Sequence, residues 1–513
     1  MTNQISNLTL DELKQSLVND LQERVNDKIL EPSNFNLLKK LINNASDKTE
    51  AISIAELGTT YKRTGFHFDK RLEKLTDTIK YFKKNTELSF VTDSNKLTHK
   101  LIIGDNYDAL LNLSISYKNK IDVIYIDPPY GKDDMGEFAH TNYDNAISRD
   151  NLLSMLYPRL VLARELLTDE GVIFCSIDDK NQAYVKGLFD EVFGEVNYIG
   201  EYIRKTKVGG GNDSKFVVLE HDYCIIFAKN KIKAENFAES HTEKYLRRYR
   251  EEDSNGKYFW DTLARPNLRN PIYYDIMLPN GQTINKGWIC SEQTYKSKLA
   301  DGQIRIKELN NSEYSVQFKQ YLNDKKIPRS LSSNFGSNAD GTASIEEILG
   351  DKKLFNYPKP VEFIKKILST IQNTDIIVLD FFAGSGTTGQ AVLELNKEDN
   401  GSRQFILVTN NEITDTSPNG IAFDVTSKRL KRVMSGECYD GTRNYPWCKN
   451  NTPLGDNLDV YEIGAVANNN QTTNESPFEV IDETLYGLDK LTPEEKIKFV
   501  CENFGITQRS LGE

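Results

Sequence analysis

Residues 377–389 read Ile-Val-Leu-Asp-Phe-Phe-Ala-Gly-Ser-Gly-Thr-Thr-Gly, an apolar strand that runs through a glycine-rich turn into a helix. Gly384, Gly386 and Gly389 satisfy the G-x-G-x-x-G pattern, in which glycines let the backbone approach a ligand closely. The stretch predicts an α/β fold with a cofactor site at the carboxyl end of this strand. Taken alone, it also fits a nicotinamide enzyme, or tight packing of a strand against a helix.

A second apolar strand ends in polar and aromatic side chains, because residues 124–130 read Ile-Tyr-Ile-Asp-Pro-Pro-Tyr. Pro128 and Pro129 stiffen this turn and have no peptide N–H, which leaves only acceptors. Asp127 and the Pro128 carbonyl can together accept both hydrogens of an exocyclic amino group, and the Tyr130 ring can stack on a flat base. The less specific alternative is a rigid turn after a buried strand.

Short apolar strands alternate with helices around both motifs, which is typical of α/β domains. The alternation stops across a polar, aperiodic stretch and then resumes, which predicts one parallel-rich sheet with an insertion. The predicted regions are a helical N-terminal region (1–95), the first half of the core (96–230), the insertion (231–345), the second half (346–465), and a linker with an acidic tail (466–513).

Within the N-terminal region, Thr9 and Glu12 have the spacing of a capping box, and a later helix is predicted over residues 66–82. An apolar stripe follows the capping box at helical spacing and needs a surface to cover it. That surface is either the protein's own core or a second copy of the chain. The stripe is formed by Leu10, Leu13, Leu17, Leu21 and Val25.

The composition argues against a membrane protein, a secreted protein and a protein held by disulfides or a zinc site. The 513 residues contain no apolar stretch near the ~20 residues needed to cross a bilayer, and the start shows no secretory signal, so a cytoplasmic protein is expected. The six cysteines are scattered without metal-binding or disulfide spacing. The net charge is −11, but 12 acidic against 4 basic residues lie in 451–513, so a local basic face elsewhere remains compatible with nucleic-acid binding.

The two motifs, in this order and with a long insertion between them, resemble the β group of amino-methyltransferases, which methylate an exocyclic amine of DNA. Residues 101–106 (Leu-Ile-Ile-Gly-Asp-Asn) and 355–360 (Phe-Asn-Tyr-Pro-Lys-Pro) resemble two further motifs of this family. The resemblance narrows to the modification (Mod) subunits of Type III restriction-modification systems and covers about residues 60–465. Its matches in the insertion are Arg265-Pro-Asn, Pro271-Ile-Tyr-Tyr, Asn280-Gly and Lys286-Gly-Trp.

The resemblance implies a Rossmann-like core that uses S-adenosyl-L-methionine, with the insertion as target-recognition domain. It implies methylation of N6 of a flipped-out adenine in double-stranded DNA without a metal, since an Asp rather than a Ser at position 127 favours adenine. The implied catalytic residues are Asp127, Pro128, Pro129 and Tyr130. The implied cofactor-binding residues are Asp105, Lys359, Asp380, Phe382, Gly384, Gly386 and Glu412.

Two groups of basic residues are candidates for contacts with DNA phosphates, although a solvated helix face is an equally simple explanation. A third basic run, at 428–432, is expected to be an exposed helix face. The implied partners are a second copy of the chain and a restriction (Res) subunit. The candidates for DNA contact are Arg204, Lys205, Lys207, Arg247, Arg248 and Arg250.

Three alternative functions remain open. Cytosine also presents an exocyclic amine, so N4-cytosine methylation is the nearest. A subunit that mainly gives DNA specificity to a restriction partner is the second. A nicotinamide oxidoreductase is the third, and it would make Asp-Pro-Pro-Tyr a coincidence.

Overall fold

The computed structural model of the protein describes residues 9–26, 30, 32–57, 78–130, 148–207, 215–265, 267–309, 313–323, 326–332, 335–443, 445–467 and 492. The chain divides into two compact units, residues 1–69 and 70–513. No helix within these ranges is long and apolar enough to cross a membrane. Apart from residues 466, 467 and 492, the predicted linker and acidic tail lie outside the described residues.

The described part of the first unit is helical, as predicted. Its first helix begins at the capping box, where the Thr9 N–H donates to Glu12 Oε2 (2.7 Å) and the Glu12 N–H donates to Thr9 Oγ1 (3.3 Å). The helices are α1 (Leu10–Asn26), α2 (Pro32–Asn44) and α3 (Lys48–Leu57).

The apolar stripe of α1 is covered inside this unit. Leu21 is buried together with Phe35 and Leu38 of α2, and Leu17 and Val25 pack against the same core. The stripe is therefore covered by the core of its own unit, which was one of the two predicted possibilities.

The second unit is built on a ten-stranded sheet with the order β1-β16-β2-β15-β14-β3-β4-β6-β5-β13. The six strands from β16 to β4 run parallel, and β6 and β1 are antiparallel to their neighbours β4 and β16. The strands are β1 (Thr78–Lys84), β2 (Thr98–Ile103), β3 (Ile121–Ile126), β4 (Leu167–Ile177), β5 (Tyr198–Lys205), β6 (His221–Ala228), β13 (Leu331–Ser332), β14 (Ile377–Asp380), β15 (Gln404–Thr409) and β16 (Asn457–Ala467).

The central strands are buried on both faces, which explains their nearly continuous apolar sequences. Leu101 and Val123 pack in one core with Ile364 and Val433, whereas Ile102 and Ile124, which alternate with them, are also fully buried. The helices of this unit outside the insertion are α4 (Asn106–Ser116), α5 (Ser148–Leu166), α6 (Gln182–Phe193), α9 (Asn338–Leu349), α10 (Val361–Leu368), α11 (Thr387–Asp399), α12 (Lys428–Ser435) and α13 (Trp447–Asn450).

The predicted helix over residues 66–82 is wrong where the structure can test it. Residues 78–84 form β1, in which Phe82 is fully buried while Lys83 is exposed. Its partner is β16, paired antiparallel from Thr78 with Ala467 to Lys84 with Tyr461. Local periodicity could not reveal a partner almost 400 positions away. Residues 66–77 lie outside the described residues.

The insertion folds around a core of its own, although its sequence shows no sustained period. Trp288 is 1% exposed and packs with Leu263, Ile276 and Phe318. The insertion holds a four-stranded sheet of order β11-β12-β8-β7 and a hairpin of β9 and β10. Its elements are α7 (Glu243–Leu246), β7 (Glu251–Asp253), β8 (Gly256–Thr262), β9 (Ile272–Met277), β10 (Thr283–Trp288), α8 (Glu292–Ala300), β11 (Ile304–Glu308) and β12 (Tyr314–Tyr321).

Candidate active site at the carboxyl edge of the sheet

Four acidic residues singled out in the sequence follow neighbouring parallel strands. Asp105 follows β2, Asp127 follows β3, Asp380 ends β14 and Glu412 follows β15. Because these strands are adjacent and parallel, their carboxyl ends meet at one edge, where open α/β sheets bind ligands. The fold therefore brings the two main motifs to neighbouring strand ends.

Asp127, Tyr130 and Lys359 form a closed cluster. The Tyr130 hydroxyl donates to Asp127 Oδ1 (2.5 Å), and Lys359 Nζ donates to Oδ1 (2.7 Å), to Oδ2 (2.8 Å) and to the Tyr130 hydroxyl oxygen (2.7 Å). Burial and the Asp127 carboxylate raise the pKa of Tyr130 well above its usual value, so its hydroxyl keeps its proton. Lys359, expected among the cofactor-binding residues, thus contacts the acidic motif directly.

The turn after Asp127 is held in place by burial and by hydrogen bonds from Asn181. Pro128 is buried and Pro129 is partly buried. Asn181 Nδ2 donates to the Tyr130 carbonyl (2.7 Å) and to Asp178 Oδ1 (2.9 Å), which ties the turn to the segment after β4. The Asp-Pro-Pro-Tyr segment is therefore held at both its side chains and its backbone.

The glycine-rich turn follows β14, the strand next to β3, and contains two glycines with positive φ. Gly384 has φ +48°, and a Cβ atom there would lie 2.9 Å from the Phe355 ring. Gly386 has φ +79° and precedes the first turn of α11. Phe382 is partly buried, and its ring centroid lies 5.3 Å from that of Phe381 with the two rings tilted by 45°. Backbone N–H groups at a helix start suit a polar or anionic ligand group, so the turn fits the predicted cofactor cradle.

Asp380 anchors this turn from inside the protein. Its Oδ1 accepts from the Phe382 N–H (3.0 Å), and its Oδ2 accepts from the Thr388 hydroxyl (2.5 Å). Burial raises the pKa of Asp380 to about 7, and the nearby Asp127 charge adds to this increase. The carboxyl therefore changes charge near neutral pH.

Replacing Asp380 with asparagine is expected to stabilise the fold increasingly as pH rises from about 4 to about 7. The pKa of Asp380 is raised from 3.8 to about 7, so its stabilising effect is fully present below pH 3.8 and is lost as pH rises through 7. Asparagine stays neutral: its Oδ1 can accept from the Phe382 N–H, and its Nδ2 can donate to the Thr388 hydroxyl oxygen, which then accepts instead of donating. Urea unfolding of both proteins at several pH values measures the difference, and a gain that does not change with pH would contradict this assignment.

Arg429 supports the glycine-rich turn, and sequence reasoning missed it. The predicted exposed face at 428–432 is wrong at this position, because Arg429 is 0% exposed. Its Nη1 donates to the Ser385 hydroxyl (3.1 Å) and the Thr387 hydroxyl (2.9 Å), and its Nε donates to Gln390 Oε1 (2.9 Å). The sequence did contain one indication of its burial. Arg429 lies four residues before Val433, which is buried, and this spacing places both on the same face of the helix.

Asp105 lies at the end of a second network. Its carboxylate accepts from the Tyr107 N–H (2.8 Å), which caps α4, and from Arg159 Nη2 (3.2 Å). Arg159 is fully buried on α5 and also contacts Asn106, whose Nδ2 donates to the Phe381 carbonyl (2.9 Å). The network links the segment after β2 to the start of the glycine-rich turn. No motif in the sequence singled out Arg159.

Glu412 is exposed, and its backbone carbonyl accepts from the Ile421 N–H (2.9 Å). It lies beyond the end of β15, the strand next to β14. The sheet order thus places the segment that carries Glu412 next to the strand that leads into the glycine-rich turn.

The prediction that Arg204 contacts DNA is wrong. It is 0% exposed, and its guanidinium donates twice to Asp222 (2.9 and 2.5 Å) and once to Asn338 Oδ1 (2.8 Å), so no phosphate can reach it. The other five candidates are exposed. Lys205 and Lys207 lie at the end of β5, and Arg247, Arg248 and Arg250 lie beside α7 in the insertion.

A family model described as DNA methylase matches residues 121–419, more than half of the chain. These residues include both motif turns and the whole insertion. A second model, described only as an uncharacterised conserved protein, matches residues 5–123.

Three curated proteins are similar over about two thirds of this chain. The StyLTI Type III restriction-modification Mod subunit of Salmonella typhimurium is 32% identical over 66% of this chain and 58% of its own length. The EcoPI Mod subunit of Escherichia phage P1 is 30% identical over 67% and 63%, respectively. The Type II methyltransferase M.KpnI of Klebsiella pneumoniae is 28% identical over 68% and 90%.

The chain thus spans about three fifths of the length of the two Type III subunits. The solved structure of the cytosine-N4-specific PvuII DNA methyltransferase aligns with 61% of this chain and 83% of its own, at 12% identity and a TM-score of 0.34.

Proposed function

Since the chain belongs to the DNA methylase family, we propose that it transfers a methyl group from S-adenosyl-L-methionine to N6 of adenine in double-stranded DNA. The observation that carries the proposal is the pairing of β3 with β14, which places the Asp127 cluster beside the glycine-rich turn. One strand end then presents the amine to be methylated, and its neighbour holds the cofactor. The similarity to two Type III Mod subunits and to the Type II methyltransferase M.KpnI supports methyl transfer.

The residues of the acidic turn act on the target amine. Asp127 accepts a hydrogen bond from it and, with the Pro128 carbonyl, fixes the direction of the nitrogen lone pair. Tyr130 stacks on the base, which leaves the duplex at a cost of about a few kcal/mol because a paired amine cannot reach an enclosed site. When bound, S-adenosyl-L-methionine supplies an electrophilic methyl group.

The cofactor site follows from the cradle at the glycine-rich turn. A Cβ atom at Gly384 would lie 2.9 Å from the Phe355 ring and one at Gly386 would lie 3.2 Å from Thr426 Cγ2, so both positions favour glycine, and Asp380 and Arg429 keep the turn in place. Asp105, Phe382 and Glu412 lie at the same edge of the sheet and complete the proposed site. Alignment of two bound reactants is the main source of rate in this arrangement.

The insertion is proposed to recognise the DNA sequence. It has its own core, so its surface can vary without disturbing the site. On its four-stranded sheet, the Arg305 guanidinium lies 4.3 Å from the Trp260 ring centroid, and its Nε donates to Gln317 Oε1 (2.8 Å). Arg and Gln are side chains that read base edges in the major groove. The five exposed basic residues named above then contact the DNA backbone.

The wider role proposed is the modification subunit of a Type III restriction-modification system, acting as a homodimer with a Res subunit as partner. The similarity to two Type III Mod subunits supports it. The stripe on α1 does not, because it is covered within its own unit. Any dimer seam therefore lies elsewhere.

A labelled methyl-transfer assay tests the proposal. Purified protein, duplex DNA from a random-sequence library and methyl-labelled S-adenosyl-L-methionine are incubated, and the DNA is then digested to nucleosides. Labelled N6-methyladenine is expected. Labelled N4-methylcytosine would select the second candidate, which shares the exocyclic amine, and tight NAD binding without any transfer would overturn the proposal.

Exchanging the insertion is expected to change the methylated sequence and leave the methylated base unchanged. The exchange should replace residues 251–321, which span β7 to β12, with the equivalent part of M.KpnI, because β13 and α9 on the far side belong to the main sheet and its core. Modified-base sequencing of cellular DNA gives the outcome. An active hybrid that still methylates the original sequence would place recognition outside the insertion.

A further inference from the structure

We infer that Lys359 is the positioning residue that holds Asp127 and Tyr130 ready for the target amine. The inference rests on the proposed function and adds a role for a residue otherwise expected to bind cofactor. Lys359 Nζ lies within 2.8 Å of both Asp127 oxygens and within 2.7 Å of the Tyr130 hydroxyl, and its side chain is 8% exposed. Its ammonium donors are thus directed at the two proposed catalytic side chains.

The backbone that carries Lys359 is rigid. Pro358 and Pro360 flank it, and both are buried. Gly341 of α9 packs so closely on this segment that a Cβ atom there would lie 2.0 Å from the Pro358 carbonyl oxygen. Pro360 then caps α10. A flexible lysine side chain therefore starts from a fixed point, which suits it to holding other groups in place.

The hydrogen bonds leave one acceptor of Asp127 open. An ionised carboxylate offers about four lone-pair positions, two on each oxygen. Among the described residues, Oδ1 accepts from both Tyr130 and Lys359, whereas Oδ2 accepts from Lys359 alone. The target amine is therefore assigned to the remaining position on Oδ2. Without Lys359, the carboxylate and the phenol would keep only the hydrogen bond that joins them, and the Oδ2 side of the carboxylate would lose its contact.

The same ammonium orients the ring that is proposed to stack on the base. Lys359 Nζ lies 4.8 Å from the centroid of the Tyr130 ring, and the hydroxyl is fixed by Lys359 and by Asp127. Loss of Lys359 should therefore reduce turnover more than cofactor affinity, because the cofactor cradle is anchored separately by Asp380 and Arg429.

The test compares Lys359→Met and Lys359→Arg with the wild-type protein. Lys359→Met is expected to lower kcat by about 10²-fold, which is a typical cost of misplacing a reacting group by about 1 Å. Its Kd for S-adenosyl-L-methionine, measured by calorimetry, should stay within about twofold, since binding energy at the separate cradle is unchanged. Lys359→Arg should recover part of kcat, and adding methylammonium to Lys359→Ala should do the same.

Lys366→Met is the matched control, since Lys366 is on α10, is part-exposed and pairs with Glu239 (3.1 Å) away from the site. It should keep wild-type turnover. Unchanged kcat in Lys359→Met would overturn the inference, and so would a parallel loss of cofactor binding, which would return Lys359 to the cofactor site. Absence of transfer by the wild-type protein would instead overturn the proposed function.

Discussion

Replacing Asp127 with asparagine should lower methyl transfer to DNA by about 10³-fold or more, within the range seen when a polar group that acts on the transition state is removed. The expected cause is the change at Oδ2, the oxygen assigned to the target amine. In asparagine one oxygen becomes an NH2 group, which donates instead of accepting and repels the amine. S-adenosyl-L-methionine binding, measured by calorimetry, should persist.

Asparagine is a better test than alanine because of Lys359. Asp127→Ala would remove two of the three acceptors that the buried Lys359 ammonium contacts among the described residues and leave only the Tyr130 hydroxyl. Removing one partner of a buried ion pair typically costs about 3–5 kcal/mol. The double variant Asp127→Ala/Lys359→Met removes both charges and should recover stability without recovering activity. Methyl transfer at the wild-type rate by folded Asp127→Asn protein would refute the assignment.

Replacing Gly386 with aspartate should abolish cofactor binding, with Kd raised by about 10²-fold or more, which corresponds to at least about 3 kcal/mol. Gly386 has φ +79°, and a Cβ atom there would lie 3.2 Å from Thr426 Cγ2. The new side chain would also bring a negative charge to the turn that the cofactor approaches. Calorimetric titration with S-adenosyl-L-methionine measures the loss.

Gly441→Asp separates backbone strain from loss of the site. Gly441 has φ +80°, but nothing lies within 4 Å of a Cβ atom placed there. The same substitution there imposes a similar φ strain and the same charge outside the glycine-rich turn, and cofactor affinity should be normal. Normal affinity in Gly386→Asp as well would move the cofactor site elsewhere.

The parts of the site that follow buried strands were predictable from the sequence, because a strand signal and the residue after it are local. Asp127 and Asp380 were placed at strand ends in this way, and the structure puts those ends side by side. Lys359 was noticed through its motif, but its contact with Asp127 joins residues 232 positions apart. No local pattern carries that information.

The burial of three arginines was not predicted from the sequence. Arg204, Arg159 and Arg429 are all fully buried, whereas arginine side chains in proteins are mostly exposed. Each has several fixed acceptors, and most of those acceptors belong to other elements of the fold. The strands of the insertion were not predicted, for a different reason. They are short and mix aromatic and polar residues, so their sequences show no simple alternation.

The order of the sheet also bears on synthesis of the chain. β2 lies between β15 and β16, and β3 lies beside β14, so the first strands translated wait for strands that follow about 250 to 360 residues later. At about 5–20 residues per second, that wait is some tens of seconds, during which unpaired apolar edges are exposed. We therefore expect the ribosome-bound chain to need protection from aggregation until residue 467 has emerged, and a protein truncated within β16 should aggregate rather than form a smaller folded protein.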